Sequence, residues 1–299
     1  MTEAGIAEDL GLLTTDAMRA RRHPRALLGL WAWETALAAL IGLPLASLAR
    51  DAFGADPSGD GVLWSPGGRE LLSLATRELH GLNAIAIAAA AVLLAGAVAG
   101  LVPMTATMTA IAYATRDRKA AGLIRSVGEG LRQFPAMALL LVLASIAQGI
   151  LVAVGLAAGS IVEAWTHSGM GEARAQQIEG LLLLVFVAAV GAIGVAHDLA
   201  RAAVVRFKVS GGRGLMLGAR TFRLAPIALS WSWAWRSLAS LAPIVAAAWA
   251  ADRLGGRGGL ALGALLVLHQ AVVLARVGLR TSWLARALRA VDTALRRVA

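Results

Sequence analysis

The chain has no cysteine at all. That excludes a disulfide framework, an iron–sulfur cluster and thiolate chemistry, and it leaves the redox compartment open. Lysine is nearly absent too: Lys119 and Lys208 are the only two, and arginine supplies the rest of the positive charge. Charge of either sign is scarce, at 15% of residues, where soluble proteins carry about 25%. There is no H-E-x-x-H, no G-x-S-x-G and no cluster of carboxylates that could hold a metal, and the five histidines are scattered. The run GGRGLMLG (211–218) follows no strand, so its glycines do not read as a phosphate-binding loop. These absences leave no catalytic motif and no cofactor signature; the expectation is a protein that is not an enzyme.

What the chain has instead is apolar sequence in long blocks. The 299 residues are 58% hydrophobic and the mean hydropathy is +0.70. Six blocks stand out, at about 26–48, 81–103, 136–158, 180–197, 226–250 and 259–279. About 20 apolar residues cross a hydrocarbon core of roughly 30 Å as a helix. An open strand edge cannot be satisfied in lipid, so helix is the only sensible reading. The expectation is an all-α polytopic protein with six transmembrane helices, forming a single membrane domain over 1–299.

The N-terminus carries Glu3, Glu8, Asp9 and Asp16 before any basic residue. A secretory leader begins basic, so the first apolar block is expected to remain as a span. Segments between blocks alternate in charge. Basic ones hold Arg19–Arg25, Arg116–Arg132, Arg201–Arg223 and Arg280–Arg297. Segments 50–80 and 159–179 are acidic or nearly neutral, and 251–258 is a short glycine-rich turn. The positive-inside rule then places both termini in the cytoplasm of a bacterial-type inner membrane. The net charge of +10 follows these flanks and does not indicate nucleic acid. RELLSLATRELHG (69–81) reads as a short interfacial helix.

Arg-x-x-Pro precedes the first, third and fifth blocks, as Arg21–Pro24, Arg132–Pro135 and Arg223–Pro226. Proline suits the first turn of a helix, where its missing N–H costs nothing. Arg21, Arg132 and Arg223 just outside can reach anionic lipid head groups on the cytoplasmic side. GEGLRQFPAMAL and GARTFRLAPIAL repeat each other, and the return spans end in comparable basic runs. Three helical hairpins follow, at about 14–103, 104–197 and 198–279, with amphipathic cytoplasmic helices between them. Segment 280–299 has Leu284, Leu288, Val291, Leu295 and Val298 on one stripe. It reads as an amphipathic helix lying on anionic lipid or docking on a partner. Gly96/Gly100, Gly155/Gly159 and Gly259/Gly263 permit close helix packing.

The layout resembles the six-helix membrane domain of bacterial proteins, sometimes fused to glycerophosphodiester phosphodiesterases, in which a short cytoplasmic helix precedes each hairpin. HDLARAAVV (197–205) followed by ARTFRLAPIAL (219–229) is the part most similar to it. The resemblance implies a membrane role and no activity, because the chain has no phosphodiesterase domain.

One word occurs twice with opposite charge: WAWET at 31–35 and WAWRS at 233–237. Ten residues beyond the three prolines lie Glu34, Ser145 and Arg236, roughly 15 Å into the membrane. A lone charge there costs about 2.5–3.5 kcal/mol. The expectation is a Glu34–Arg236 ion pair between the first and fifth spans, with Ser145 at the same level. Ser232 and Ser240 share the helix face of Arg236. Gln148, His269 and Gln270 would complete a polar core. Read structurally, this core is a clasp between helices, and the protein is a membrane scaffold or accessory subunit, with a protein partner or a second copy left open. Read functionally, it is an anion or polar-substrate site in a transporter or channel-like protein. A third reading makes the tryptophans an interfacial belt and Arg236 a residue snorkelling to head groups.

Overall fold

In the computed structural model the described residues are 20, 23–53, 79–113, 122–167, 172–254 and 259–296. Among them there are nine helices and no strand. They are α1 (Pro24–Phe53), α2 (Leu79–Ala99), α3 (Leu101–Ala112), α4 (Leu123–His167), α5 (Glu172–Phe207), α6 (Gly211–Leu224), α7 (Pro226–Ala239), α8 (Leu241–Leu254) and α9 (Leu260–Arg296).

Among the described residues five stretches are long and apolar enough to cross a membrane: Pro24–Pro44, Ile87–Ala112, Leu123–Trp165, Gln176–Phe207 and Gly263–Leu295. The fifth expected block, 226–250, is divided at Ser240 into α7 and α8, of 14 residues each. Each half reaches about 21 Å, short of a hydrocarbon core of roughly 30 Å. Proline explains the break. Pro243 has no N–H to offer Ala239, and its ring crowds that carbonyl four residues back. The same offset recurs where α2 gives way to α3: Gly100 is a turn, and Pro103 stands four residues beyond Ala99.

Packing divides the molecule into two zones. Leu183, Val187, Leu156 and Leu266 are more than half exposed, an apolar surface with no protein over it. At the other end α3, the start of α4, the end of α5, α6 and the end of α9 enclose a close-packed core. Met108, Ile111, Leu199, Val204, Trp283, Leu284 and Leu288 are buried there. The helices are long enough to belong to both zones, α4 running about 68 Å over its 45 residues.

Two expectations change here. Segment 280–296 is not a separate surface helix but the continuation of α9. Its stripe of Leu284, Leu288 and Val291 is buried against the core. An apolar stripe finds a partner surface, and α5 and α6 supply one. Pro135, expected to open a helix as Pro24 and Pro226 do, lies inside α4.

Glycine sets the closest approaches. The GGRGLMLG run starts α6, and Gly211, Gly214 and Gly218 are buried. A Cβ on Gly218 would stand 2.5 Å from the Ala200 nitrogen and 2.7 Å from its Cα. These are backbone atoms of α5 and cannot swing aside. Gly218→Ala is therefore expected to destabilise by about 1–3 kcal/mol through overpacking, despite the helix propensity that alanine adds. Gly128→Ala in α4, where a Cβ meets nothing within 4 Å, should be neutral or stabilise by up to about 1 kcal/mol. Unfolding of both variants in mixed micelles checks the contrast. Of the three expected glycine pairs, Gly96 and Gly100 receive Leu37 and Trp33 of α1, Gly155 receives Phe186, and Gly159, Gly259 and Gly263 face open space.

Candidate anion-binding site

Glu34 and Arg236 line one cavity of about 200 Å³, together with Ser240, Arg276, Arg280 and Trp283. α1 supplies the carboxylate, α7 supplies Arg236, the α7–α8 break supplies Ser240, and α9 supplies Arg276, Arg280 and Trp283. Arg276, Arg280 and Trp283 recur at i, i+4 and i+7, so one face of α9 carries all three.

The expected direct pair is not formed: among the described residues no ion pair joins Glu34 to Arg236. Arg236 instead donates from Nη1 to the Ser232 Oγ at 2.6 Å and from Nε to the Ser282 Oγ at 3.3 Å. The cations whose charge acts on Glu34 are Arg276 and Arg280. Helix register explains this. Thr35 donates to Gln270 at 3.2 Å, and Leu27 lies beside Gly278. Ala225 shares a cavity wall with Arg289, and Arg236 shares one with Leu279. Glu34 thus lies level with about residue 271 of α9 and Arg236 with about residue 279, two turns or about 12 Å apart. Equal distances from the prolines do not give equal depths, because α1 and α7 are docked on α9 at different heights.

Behind the cavity lies Asp198 of α5, 2% exposed. Its Oδ1 accepts from Arg280 Nη2 at 3.0 Å, and its Oδ2 accepts from Trp283 Nε1 at 2.8 Å. Arg201 pairs with the same Oδ1 at 3.6 Å, the pairing that adjacency along α5 favours. Deeper in the packed end, Arg206 donates from Nε and Nη2 to Asp292 Oδ1 at 3.0 and 2.9 Å, and from Nη1 to the Ala112 carbonyl at 3.3 Å. That joins α3, α5 and α9 at one guanidinium. Sequence reading treated Arg206, Arg280 and Asp292 as charged flanks, because their partners lie more than 80 residues away. The i, i+4, i+7 face of α9 was the signal present.

The other expected site residues disperse. Ser232 is buried under Arg236, and Ser240 lines the cavity. Gln270 is bound to Thr35, and Gln148 faces Gly194 of α5. Ser145 is exposed, and His269, also exposed, contacts the carbonyl of Leu265. Arg132 and Arg223 are exposed, as head-group contacts require; Arg21 lies outside the described residues, as does 69–78 of the expected interfacial helix. Nor do the tryptophans form a simple belt. Trp33 of the first word packs against Gly100 and Trp233 of the second against Gly191, at non-equivalent positions of the two words, while Trp231 and Trp235 are exposed.

Taken with the residues behind it, the cavity gathers Arg201, Arg236, Arg276 and Arg280 against Glu34 and Asp198. Four guanidiniums face two carboxylates. Guanidinium is a rigid fork of donors suited to carboxylate, phosphate or sulfate. Comparison of the chain with family models, with curated proteins and with solved structures finds no match to any of them.

Proposed function

We propose that the chain is a multi-pass protein of a bacterial-type inner membrane, of accessory-subunit or scaffold type, that holds an anionic ligand at the Arg236 cavity. In this reading it crosses six times as three hairpins with both ends in the cytoplasm, α7 and α8 together making the fifth crossing. The likeness to six-helix bacterial membrane domains and the alternating charge of the segments support that placement. The clasp expected of Glu34 and Arg236 falls instead to Asp198 and to the Arg206–Asp292 pair. The observation that carries the anion site is that, among the described residues, Arg236 hydrogen-bonds to serine side chains and a backbone carbonyl and stacks on Trp235, with no carboxylate paired to it, so the cluster keeps two positive charges in excess.

A second reading, a transporter, has one observation in its favour. Ser240, at the break between α7 and α8, lines the cavity, and discontinuous helices line binding sites in transporters.

Inorganic phosphate and sulfate are the first probes. A ligand at a hundredfold excess over its Kd stabilises by about 2.7 kcal/mol. The melting temperature of the detergent-solubilised chain should rise with one of these anions, Arg236→Gln should abolish the rise, and Glu34→Gln should enlarge it. An equal response in wild type and Arg236→Gln would sink the site. Efflux of the same anion from proteoliposomes separates transport from an accessory role.

A further inference from the structure

A second cavity, of about 260 Å³, lies between α6, α7 and the last turns of α9. Among the described residues its walls are apolar or hydroxyl-bearing except for Arg286 and Arg289, and no carboxylate lines it. The chain breaks there. Ala225 has φ −154° and ψ 59°, so α6 ends and α7 starts afresh at Pro226. The first helical bond of α7 is Leu229 N–H to the Ala225 carbonyl. The N–H groups of Ile227 and Ala228 precede it, at the positive end of the α7 dipole, beside both arginines. The Arg286 Nε is buried and has no hydrogen-bond partner. A buried guanidinium N–H without an acceptor is costly, and an anion in this cavity would supply one.

The surroundings distinguish a lipid from a soluble anion. Leu224 lines the cavity and is 51% exposed; Ile227, next in the chain to Ala228 of its wall, is 84% exposed. A soluble phosphate has no use for two exposed aliphatic side chains, whereas the acyl chains of a phospholipid do. The cavity also sits at the end of the bundle that carries Arg213, Arg220 and Arg223, where a head group would lie.

We propose that this cavity is a phospholipid site. Arg286, Arg289 and the first turn of α7 hold the phosphate diester of an anionic membrane lipid, and Leu224 and Ile227 lie along its acyl chains. The site rests on the membrane placement of the helices and is independent of the Arg236 cavity.

Native mass spectrometry of the full chain, released from detergent and titrated with phosphatidylglycerol or phosphatidylcholine, tests it. Phosphatidylglycerol should bind about tenfold more tightly, the scale of one charge-assisted contact set. The Arg286→Gln/Arg289→Gln double variant should lose that preference. Ala228→Trp should block lipid binding by filling the cavity with no change of charge, and it stands in if the double variant does not fold. Arg236→Gln should bind phosphatidylglycerol as wild type does, which separates this site from the anion site. Equal binding of the two lipids, or full binding by Ala228→Trp, overturns the proposal. So does displacement of phosphatidylglycerol by inorganic phosphate, which would make the occupant a soluble anion. Recovery of the chain outside the membrane fraction would overturn the membrane placement itself.

Discussion

Asp292→Ala is expected to destabilise the folded chain by about 3–5 kcal/mol, the usual loss when one partner of a buried pair is removed. Arg206 has no exposed surface, and the Asp292 side chain is 6% exposed. Two of the three hydrogen bonds of the guanidinium end on one carboxylate oxygen; the third, to the Ala112 carbonyl, neutralises nothing. Without Asp292 a charge stays buried in the packed end that holds Val204, Val205 and Leu288. The comparison that isolates this cause is Arg206→Met/Asp292→Leu. If the loss comes from the stranded charge, the apolar double variant should be substantially more stable than Asp292→Ala, because apolar replacement of both partners is often neutral. SDS-induced unfolding in mixed micelles reads both. A loss below about 1 kcal/mol for Asp292→Ala would place the pair with ordinary surface ion pairs and rule out its role in joining α3, α5 and α9.

The helical character of the chain was legible because each apolar block is a local property, and the five long apolar helices fall where the blocks were read. The broken one was legible in principle. Pro243 sits well inside its block, and a proline four residues beyond a carbonyl breaks the ladder there, but a hydropathy window averages over it. The stripe 284–298 was legible as amphipathic and illegible as to its partner. Lipid, a second protein and the chain's own α5 ask for the same spacing. Glu34 and Arg236, expected as an ion pair, line one cavity with no ion pair between them. Their separation depends on how α1 and α7 slide along α9, and no count along either helix contains that. Asp198 was the hardest to read. Its pairing with Arg201 is local, three residues along one helix, whereas Arg280 and Trp283 reach it only once α9 lies against α5.

Asp198→Asn is the change expected to affect both stability and the candidate site, and in opposite directions. The asparagine keeps an acceptor for Trp283 but not the charge that holds Arg201 and Arg280. Arg201 is buried at 7% side-chain exposure and would lose its counter-ion, so a stability loss of about 3 kcal/mol or more is expected. Arg280, at 40% exposed, contributes less through solvent-screened attraction. Trp283→Phe, which removes one buried N–H donor and leaves the carboxylate with both arginines, should cost about 1–3 kcal/mol. The effect on the cavity has the other sign. Arg280 lines it while its guanidinium is tied to Asp198. Neutralising Asp198 raises the excess from two positive charges to three and frees Arg280 toward the cavity. At a temperature where the variant is still folded, its affinity for an anion should rise while Arg236→Gln lowers it. Calorimetric titration of both variants with the same anion decides between a cavity that works by its net charge and one whose arginines only brace the helices. In the bracing case Asp198→Asn would lose stability and change no affinity.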